Sequence, residues 1–346
     1  MNDFHASDVN NTLFIVGSDS LPLIPPFTVS PQEAGHTLAK VLRSRMGGPS
    51  WQDVRKLIAA RRVKVGDSIC SDDARRLKEN EVVVLLEQPK PLPRVAHPDR
   101  LIIRHLDEHL VVVEKPAGVN TVRHPAELEW SEQRRKLDPT LEDLTQWSIA
   151  KQLQRSPREI PRLRIVHRLD KETSGLVVFA RSALAERELG HQFRKHAVVR
   201  RYLAVVPGFL TARTIKSNLV ADRGDGRRGS TQLPEVGKEA ITHISIEEQL
   251  PGYTLLSCRL ETGRTHQIRI HLSEAGHPVC GDKVYSKKLG GEVFEDRSNA
   301  PRLALHATEL GFEHPSNGGN LHWTMPLTGD LQKFVEKLKG NRVSKQ

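Results

Sequence analysis

At 346 residues the chain has room for two domains, and 37% hydrophobic with 27% charged residues describes an ordinary soluble protein. No run nears the roughly 18 apolar residues of a membrane span, and the first residues lack the basic-then-apolar order of a signal peptide. The expected setting is the cytoplasm, with no membrane partner. Three cysteines, Cys70, Cys258 and Cys280, stand apart without CxxC spacing, which argues against a disulfide framework or a thiolate metal site. A net charge of +10 and a pI near 9.6 make nucleic acid the first partner to consider.

Residues 1–32, with Pro22, Pro25 and Pro26, read as a flexible N-terminal arm. Residues 33–88 read as a small α/β domain. A helix from Thr37 to Met46 is broken by Gly47, Gly48 and Pro49. A second is capped by Ser50 and carries Trp51, Val54, Leu57 and Ile58 on one face. Strands follow at 63–65 and 81–87. Between residues 40 and 64 eight basic side chains accompany one acid, Asp53. The plain reading is a solvated helix face. The sharper one makes Arg43, Arg55, Lys56, Arg61, Arg62 and Lys64 an RNA-binding surface that grips phosphates.

Residues 89–99 are Pro-rich and predict a stiff linker, hence a domain boundary. Residues 100–340 then mix strands (101–105, 110–114, 163–167, 175–180, 201–206, 240–247, 253–260 and 303–308) with helices (140–153, 183–195, 265–275 and near 328–339). The absence of a βαβ rhythm predicts an α+β domain with a largely antiparallel mixed sheet and flanking helices. Residues 222–230, DRGDGRRGS, read as a mobile polar loop.

The most unusual stretch is RIVHRLDKETSGLVVFARS, Arg164 to Ser182, where two apolar runs flank a polar turn. Such a strand–turn–strand fixes a carboxylate at a sheet edge with its head in a cleft. Arg168 and Lys171 flank Asp170, and nearby cations favour the ionised form. A lone turn aspartate in an ion pair would be the commoner explanation. A second cluster, LETGRTHQIRIHLSEAGHPVCGDKVY from Leu260 to Tyr285, suggests a helix opened by Thr262 and Gly263 that carries Arg264, His266 and Arg269 early, an anion-favouring arrangement. His266 and His271, five apart, are poorly placed to share a metal. In RRYLAVV, residues 200–206, Tyr202 begins a strand.

Taken together these segments resemble the RluA-type family of pseudouridine synthases over most of residues 100–326. VVVEKPAG at 111–118, VHRLDKETSGLVVFAR, RRYLAVV, TGRTHQIRIHL with GHPVCGDKVY, and RLALHATELGFEHP at 302–315 follow the family's motifs in order. Residues 33–88 resemble, more weakly, the small RNA-binding domain first described in ribosomal protein S-four. Two stretches depart from the family pattern, Glu114 and residues 123–152, and both bear on substrate choice rather than on the reaction.

The resemblance implies isomerisation of uridine to pseudouridine in structured RNA; the small N-terminal domain favours ribosomal RNA first and transfer RNA second, and a monomer is expected. Reactant and product are isomers, so no cofactor and no metal is expected. The base must leave its stack to react. Asp170 would start the reaction, by attack at C1′ or removal of the C2′ proton. Arg269 would be its ion-pair partner, with Arg264 the alternative. Tyr202 would stack on the detached uracil and assist proton removal at C5. Arg168 would fill the gap left by the flipped nucleotide, and Arg264 and His266 would bind substrate. Two other classes fit less well. HRLD lacks the spacing of a kinase HRD loop, and an RNA-binding module without catalysis would be expected to lack the aspartate, tyrosine or arginine.

Overall fold

The computed structural model describes residues 24–66, 68–70, 73–88, 101–124, 127, 135, 138–224, 227–233, 235–286 and 294–340. Most of the expected N-terminal arm, the 89–99 linker and parts of 123–137 lie outside them. The chain divides into two compact units, Met1–Leu92 and Pro93–Gln346.

In the first unit, helices α1 (Leu38–Arg45) and α2 (Trp51–Ala59) accompany a sheet of β1 (Phe27–Thr28), β2 (Val63–Val65), β3 (Ser68–Ile69) and β4 (Val82–Leu85), in the order β1-β4-β2-β3. Thr37 and Ser50 cap the helices, accepting from the amides of Lys40 and Asp53, as side-chain oxygens at such positions satisfy otherwise orphaned donors. Leu38, Leu42, Val54, Leu57, Ile58, Val63 and Val83 form the core. Trp51 departs from the expected apolar face. It is 45% exposed, and the Arg43 guanidinium covers its ring at 4.9 Å.

The second unit is built on a mixed sheet. Its strands are β5 (Ile103–Leu106), β6 (Leu110–Lys115), β7 (Arg164–Ile165), β8 (Ser174–Ala180), β9 (Val199–Pro207), β10 (Arg213–Val220), β11 (Gly229–Thr231), β12 (Lys238–Leu250), β13 (Tyr253–Leu260), β14 (Leu305–Glu313) and β15 (Asn320–Thr324). The main path runs β11-β10-β12-β13-β9-β14-β8-β6-β5, with β15 on β14 and β7 on β8. Among the described residues one pairing, β14 with β8, is parallel, so the α+β expectation of a largely antiparallel mixed sheet holds. Helices α3 (Leu141–Gln152), α4 (Ala183–Arg194), α5 (Gln267–Glu274) and α6 (Gly329–Gly340) flank it. β8 is buried along its whole length, which explains the unbroken apolar run from Leu176 to Ala180.

Three expectations are corrected. The polar 222–230 stretch is not all loop, because Gly229 and Ser230 belong to β11, which pairs with Asn218–Val220. The predicted 163–167 strand shortens to two residues, since His167 turns to accept a hydrogen bond from the Val178 amide at 3.0 Å. Helix α5 begins at Gln267 rather than at Thr262 or Thr265, because His266 adopts a left-handed conformation, φ 60° and ψ 18°.

The middle of the sheet positions the site. Ala307 on β14 lies opposite Tyr202 of β9 on one side and Gly175 of β8 on the other. Gly175 has φ +130°, and a Cβ there would come within 2.2 Å of the Ala307 carbonyl oxygen. Glycine therefore permits both the backbone turn and the close strand approach.

Candidate active site

Asp170 lies in the loop between β7 and β8, and this loop is tied down on both sides. Before it, the Thr121 hydroxyl donates to the Leu169 carbonyl at 2.7 Å and accepts from the Leu169 amide at 3.1 Å. After it, the fully buried Lys115 ammonium at the end of β6 donates to the carbonyls of Pro116, Lys171 and Thr173 at 3.0, 2.9 and 2.7 Å. Burial pushes the Lys115 pKa down to about 7, opposed by the charges of Glu172 and Asp170. The backbone that carries the carboxylate thus has little freedom, while its side chain stays 20% exposed.

The cations beside Asp170 in sequence are not its partners in space. Arg168 reaches Thr265 Oγ1 at 3.3 Å. The ion pair comes from Arg269 on α5, whose Nη1 lies 3.3 Å from Asp170 Oδ2. The same guanidinium makes two shorter bonds, 2.7 and 2.8 Å, to Asp282, a carboxylate with no solvent exposure. Burial pushes Asp282 upward, but the hydrogen bonds and charge of Arg269, with the amides of Tyr285 and Val284, hold it below the ordinary carboxylate range. Arg264 is not an ion-pair partner; its Nε donates to the Glu239 carbonyl at 2.9 Å.

His266 Nε2 stands 3.8 Å from Asp170 Oδ1, beyond hydrogen-bond reach. Its Nδ1 lies 2.7 Å from the Tyr285 hydroxyl. Burial pushes this imidazole down, opposed by the Asp170 charge. A left-handed backbone at a non-glycine residue is a small reservoir of strain and recurs at functional sites. Tyr202 is 8% exposed. Burial pushes its phenol up to about 12, with Arg200 opposing and Asp170 reinforcing.

These residues line one cleft of about 840 Å³, to which Arg168, Asp170, Tyr202, Arg264, His266 and Arg269 all contribute. That lies within the roughly 300–1,000 Å³ of small-molecule sites. Five arginines (168, 194, 200, 264 and 269) and two acids (Asp170 and Glu186) face it, so its field favours an anionic ligand. All six residues expected from sequence at this site are brought together. Lys115, Thr121, Asp282 and Tyr285 were not singled out. Their one sequence signal is that they sit inside the motif segments or, for Thr121, just beyond one, and only the folded chain shows what they touch.

Elsewhere, Glu114 pairs with Arg104 at 3.2 Å and does not line the cleft. The divergent 123–152 segment ends in α3, capped reciprocally by Thr140 and Asp143, and Arg123 pairs with Asp143. His105, Asp107 and His314 bring three potential metal ligands together. Asp107 Oδ2 lies 2.5 and 3.0 Å from the two Nε2 atoms, and the Ser316 amide donates to His314 Nδ1 at 3.2 Å. Asp107 Oδ1 also accepts from the amides of His109 and Leu110 at 2.7 and 2.8 Å, so the trio ties down the β5–β6 turn.

In the first unit the six basic candidates differ in freedom. Arg43 and Arg62 donate through Nε to the carbonyls of Pro49 and Leu86. Arg55 pairs with Asp73 at 3.1 Å and Lys56 approaches Asp53 at 3.9 Å, both with side chains about two-thirds exposed. Arg61 has a left-handed backbone, and Lys64 is half-buried on β2.

Comparison with known proteins places this geometry. The family model described as RNA pseudouridylate synthase matches residues 109–274. The chain is 34% identical over 328 residues to "Ribosomal large subunit pseudouridine synthase D" of Zymomonas mobilis, covering 90% of this chain and 96% of that protein. It is 38% identical over 243 residues to the protein of the same name from Nitrosomonas europaea, covering 67% of this chain and 64% of that one. "Human RNA Pseudouridylate Synthase Domain Containing 4" shares the fold, with a TM-score of 0.53 and 24% identity over 68% of this chain and 92% of that one. No helix among the described residues is long and apolar enough to cross a membrane. The chain belongs to the RluA-type family of RNA pseudouridine synthases, isomerases that act on RNA.

Proposed function

We propose that this chain converts a uridine of large-subunit ribosomal RNA to pseudouridine, with Asp170 as the carboxylate that starts the reaction. The N1–C1′ bond of the flipped nucleotide breaks, the uracil turns, C5 bonds to C1′, and the C5 proton is lost while N1 gains one. One observation carries the assignment of Asp170: a carboxylate on a doubly clamped loop, open to a cleft rich in arginine and paired there with Arg269. Arg269 orients it. Tyr202 supports the base by stacking, and its raised pKa favours action as a neutral phenol rather than as a phenolate. Arg168, Arg264 and His266 bind the nucleotide around it.

The ribosomal substrate rests on the printed names of the relatives, with transfer RNA as the second class. Residues 33–88 are read as an RNA-binding domain of the ribosomal protein S-four type, joined by the 89–99 linker to a catalytic domain over 100–340. Arg43, Arg55, Lys56, Arg61, Arg62 and Lys64 supply its phosphate contacts. The protein acts as a cytoplasmic monomer.

The test is tritium release from C5-labelled uridine in transcripts of large-subunit ribosomal RNA and of transfer RNA. Release from the ribosomal transcript is expected. Asp170→Asn should abolish it while RNA affinity stays within a few-fold, because phosphate contacts supply most of the binding. Appreciable turnover by the purified variant would remove Asp170 from this role.

A further inference from the structure

Arg200 stands two residues before Tyr202 on β9, so both side chains project from the same face of the strand, and both line the cleft. Arg200 is 8% exposed. Its Nη2 donates to the Glu261 carbonyl at 2.9 Å, and its guanidinium carbon lies 5.5 Å from the centre of the Phe193 ring. Its Nε is buried without a hydrogen-bond partner, and no carboxylate among the described residues forms an ion pair with it. Its neighbours are paired: Arg201 with Glu309 and Glu247, and Arg269 with Asp170 and Asp282.

Buried charges are normally paired, because an uncompensated one is costly. The cost here shows in the Arg200 pKa, which burial holds below the arginine norm. Nη1 makes no hydrogen bond within the described residues and lies against Gly263, where a Cβ would come within 2.5 Å. The missing side chain at Gly263 therefore leaves this donor a way into the cleft. Uracil and ribose are neutral, and the anions of an RNA substrate are its phosphodiesters. A guanidinium matches phosphate in charge and in the geometry of its donors.

We propose that Arg200 is the phosphate seat of this cleft: its guanidinium takes a phosphodiester flanking the target uridine, and that anion supplies the partner the protein withholds. The proposal rests on the pseudouridine synthase reading of the same cleft. It adds a substrate-binding residue whose task is to fix the flipped strand beside Tyr202.

The test uses the full-length protein and a short RNA spanning a uridine that the wild type modifies. Single phosphodiesters around that uridine are replaced by neutral methylphosphonates. At one flanking position the wild type should lose roughly ten- to a hundredfold in KM, the scale of a hydrogen bond to a charged group. Arg200→Met should raise KM on unmodified RNA by a similar factor and lower the salt slope by roughly 0.7–0.9. At the sensitive position the methylphosphonate should cost this variant little more, the non-additivity of two partners in one contact. Arg200→Lys, which keeps the charge and loses the fork, should fall between. A wild type indifferent to every flanking methylphosphonate overturns the proposal whether or not Arg200→Met folds. So does an Arg200→Met whose KM and salt slope match the wild type while its single-turnover rate falls. A wild type that releases no C5 tritium from any RNA would instead undermine the synthase reading itself.

Discussion

Arg269 holds Asp282 more closely than it holds Asp170, with two bonds of 2.7 and 2.8 Å against one of 3.3 Å. The buried carboxylate sets the plane of the guanidinium, and the open carboxylate takes its orientation from the remaining nitrogen. Asp282 is thus a positioning residue acting on Asp170 through a shared cation.

Asp282→Asn should therefore lower kcat by about 10- to 100-fold, the range expected when a reacting group is misplaced by about an ångström. RNA affinity should stay within a few-fold, and the melting temperature should fall, because breaking a buried pair from one side is strongly destabilising. Rapid-quench single-turnover kinetics with filter binding separates these. Equal losses in affinity and rate would show that Asp282 shapes the RNA surface instead.

Tyr202→Phe and Tyr202→Leu separate stacking from proton transfer. Phenylalanine keeps the ring beside Asp170 and should bind RNA normally while losing rate if the hydroxyl moves a proton. Leucine should lose both stacking and rate. Full activity in both variants would reduce Tyr202 to a packing residue of β9.

Removing residues 1–90 should weaken RNA binding and flatten its salt dependence, while a short substrate in excess is still converted. About four phosphate contacts among Arg43, Arg55, Lys56, Arg61, Arg62 and Lys64 would change the slope by roughly 3 to 4. Binding measured from 50 to 300 mM salt, on chains shown by circular dichroism to be folded, checks this. An unchanged slope would take the basic stretch off the RNA.

Three histidines should make the fold acid-labile. Burial pushes His167 down to about 3, with Arg200 adding to it, and lowers His271 and His306 to about 4. The unfolded chain binds protons at these sites near pH 6.5, whereas the folded chain resists until far lower. Stability should therefore fall as pH drops from about 6.5 toward 4. The melting temperature at pH 7.5, 6 and 5 measures it, and His306→Gln should show a shallower decline. A wild-type melting temperature flat across that range would contradict the reading.

Much of the candidate site was legible through the ordered motif segments and the family they resemble. Taken alone, a polar turn between apolar runs at Asp170 points to an ordinary ion pair, and a tyrosine opening an apolar strand at Tyr202 points to packing. What escaped depends on distant contacts. Lys115 acts on carbonyls more than fifty positions away, and no local pattern announces that Asp282 faces Arg269. Strands β10 and β15 went unread because neither has a fully apolar face: β10 buries Leu219 alone, and β15 alternates exposed with half-buried residues. Their backbone pairing, rather than a hydrophobic stripe, makes them strands. The start of α5 was misjudged because a left-handed histidine is not suggested by propensity.

β14 fills the gap between β8 and β9, which do not pair with each other, and it arrives about a hundred residues after β9 in the chain. A ribosome that has released residues 1–300 has already delivered Asp170, Tyr202 and Arg269, yet the strand that joins β8, which follows the Asp170 loop, to β9, which carries Tyr202, is still missing. The site is therefore closed by a late, long-range insertion, the kind of contact that forms slowly. Catalytic competence would switch on only once β14 has joined the sheet, and a chain cut short before Leu305 would carry Asp170, Tyr202 and Arg269 without the strand that bridges β8 and β9.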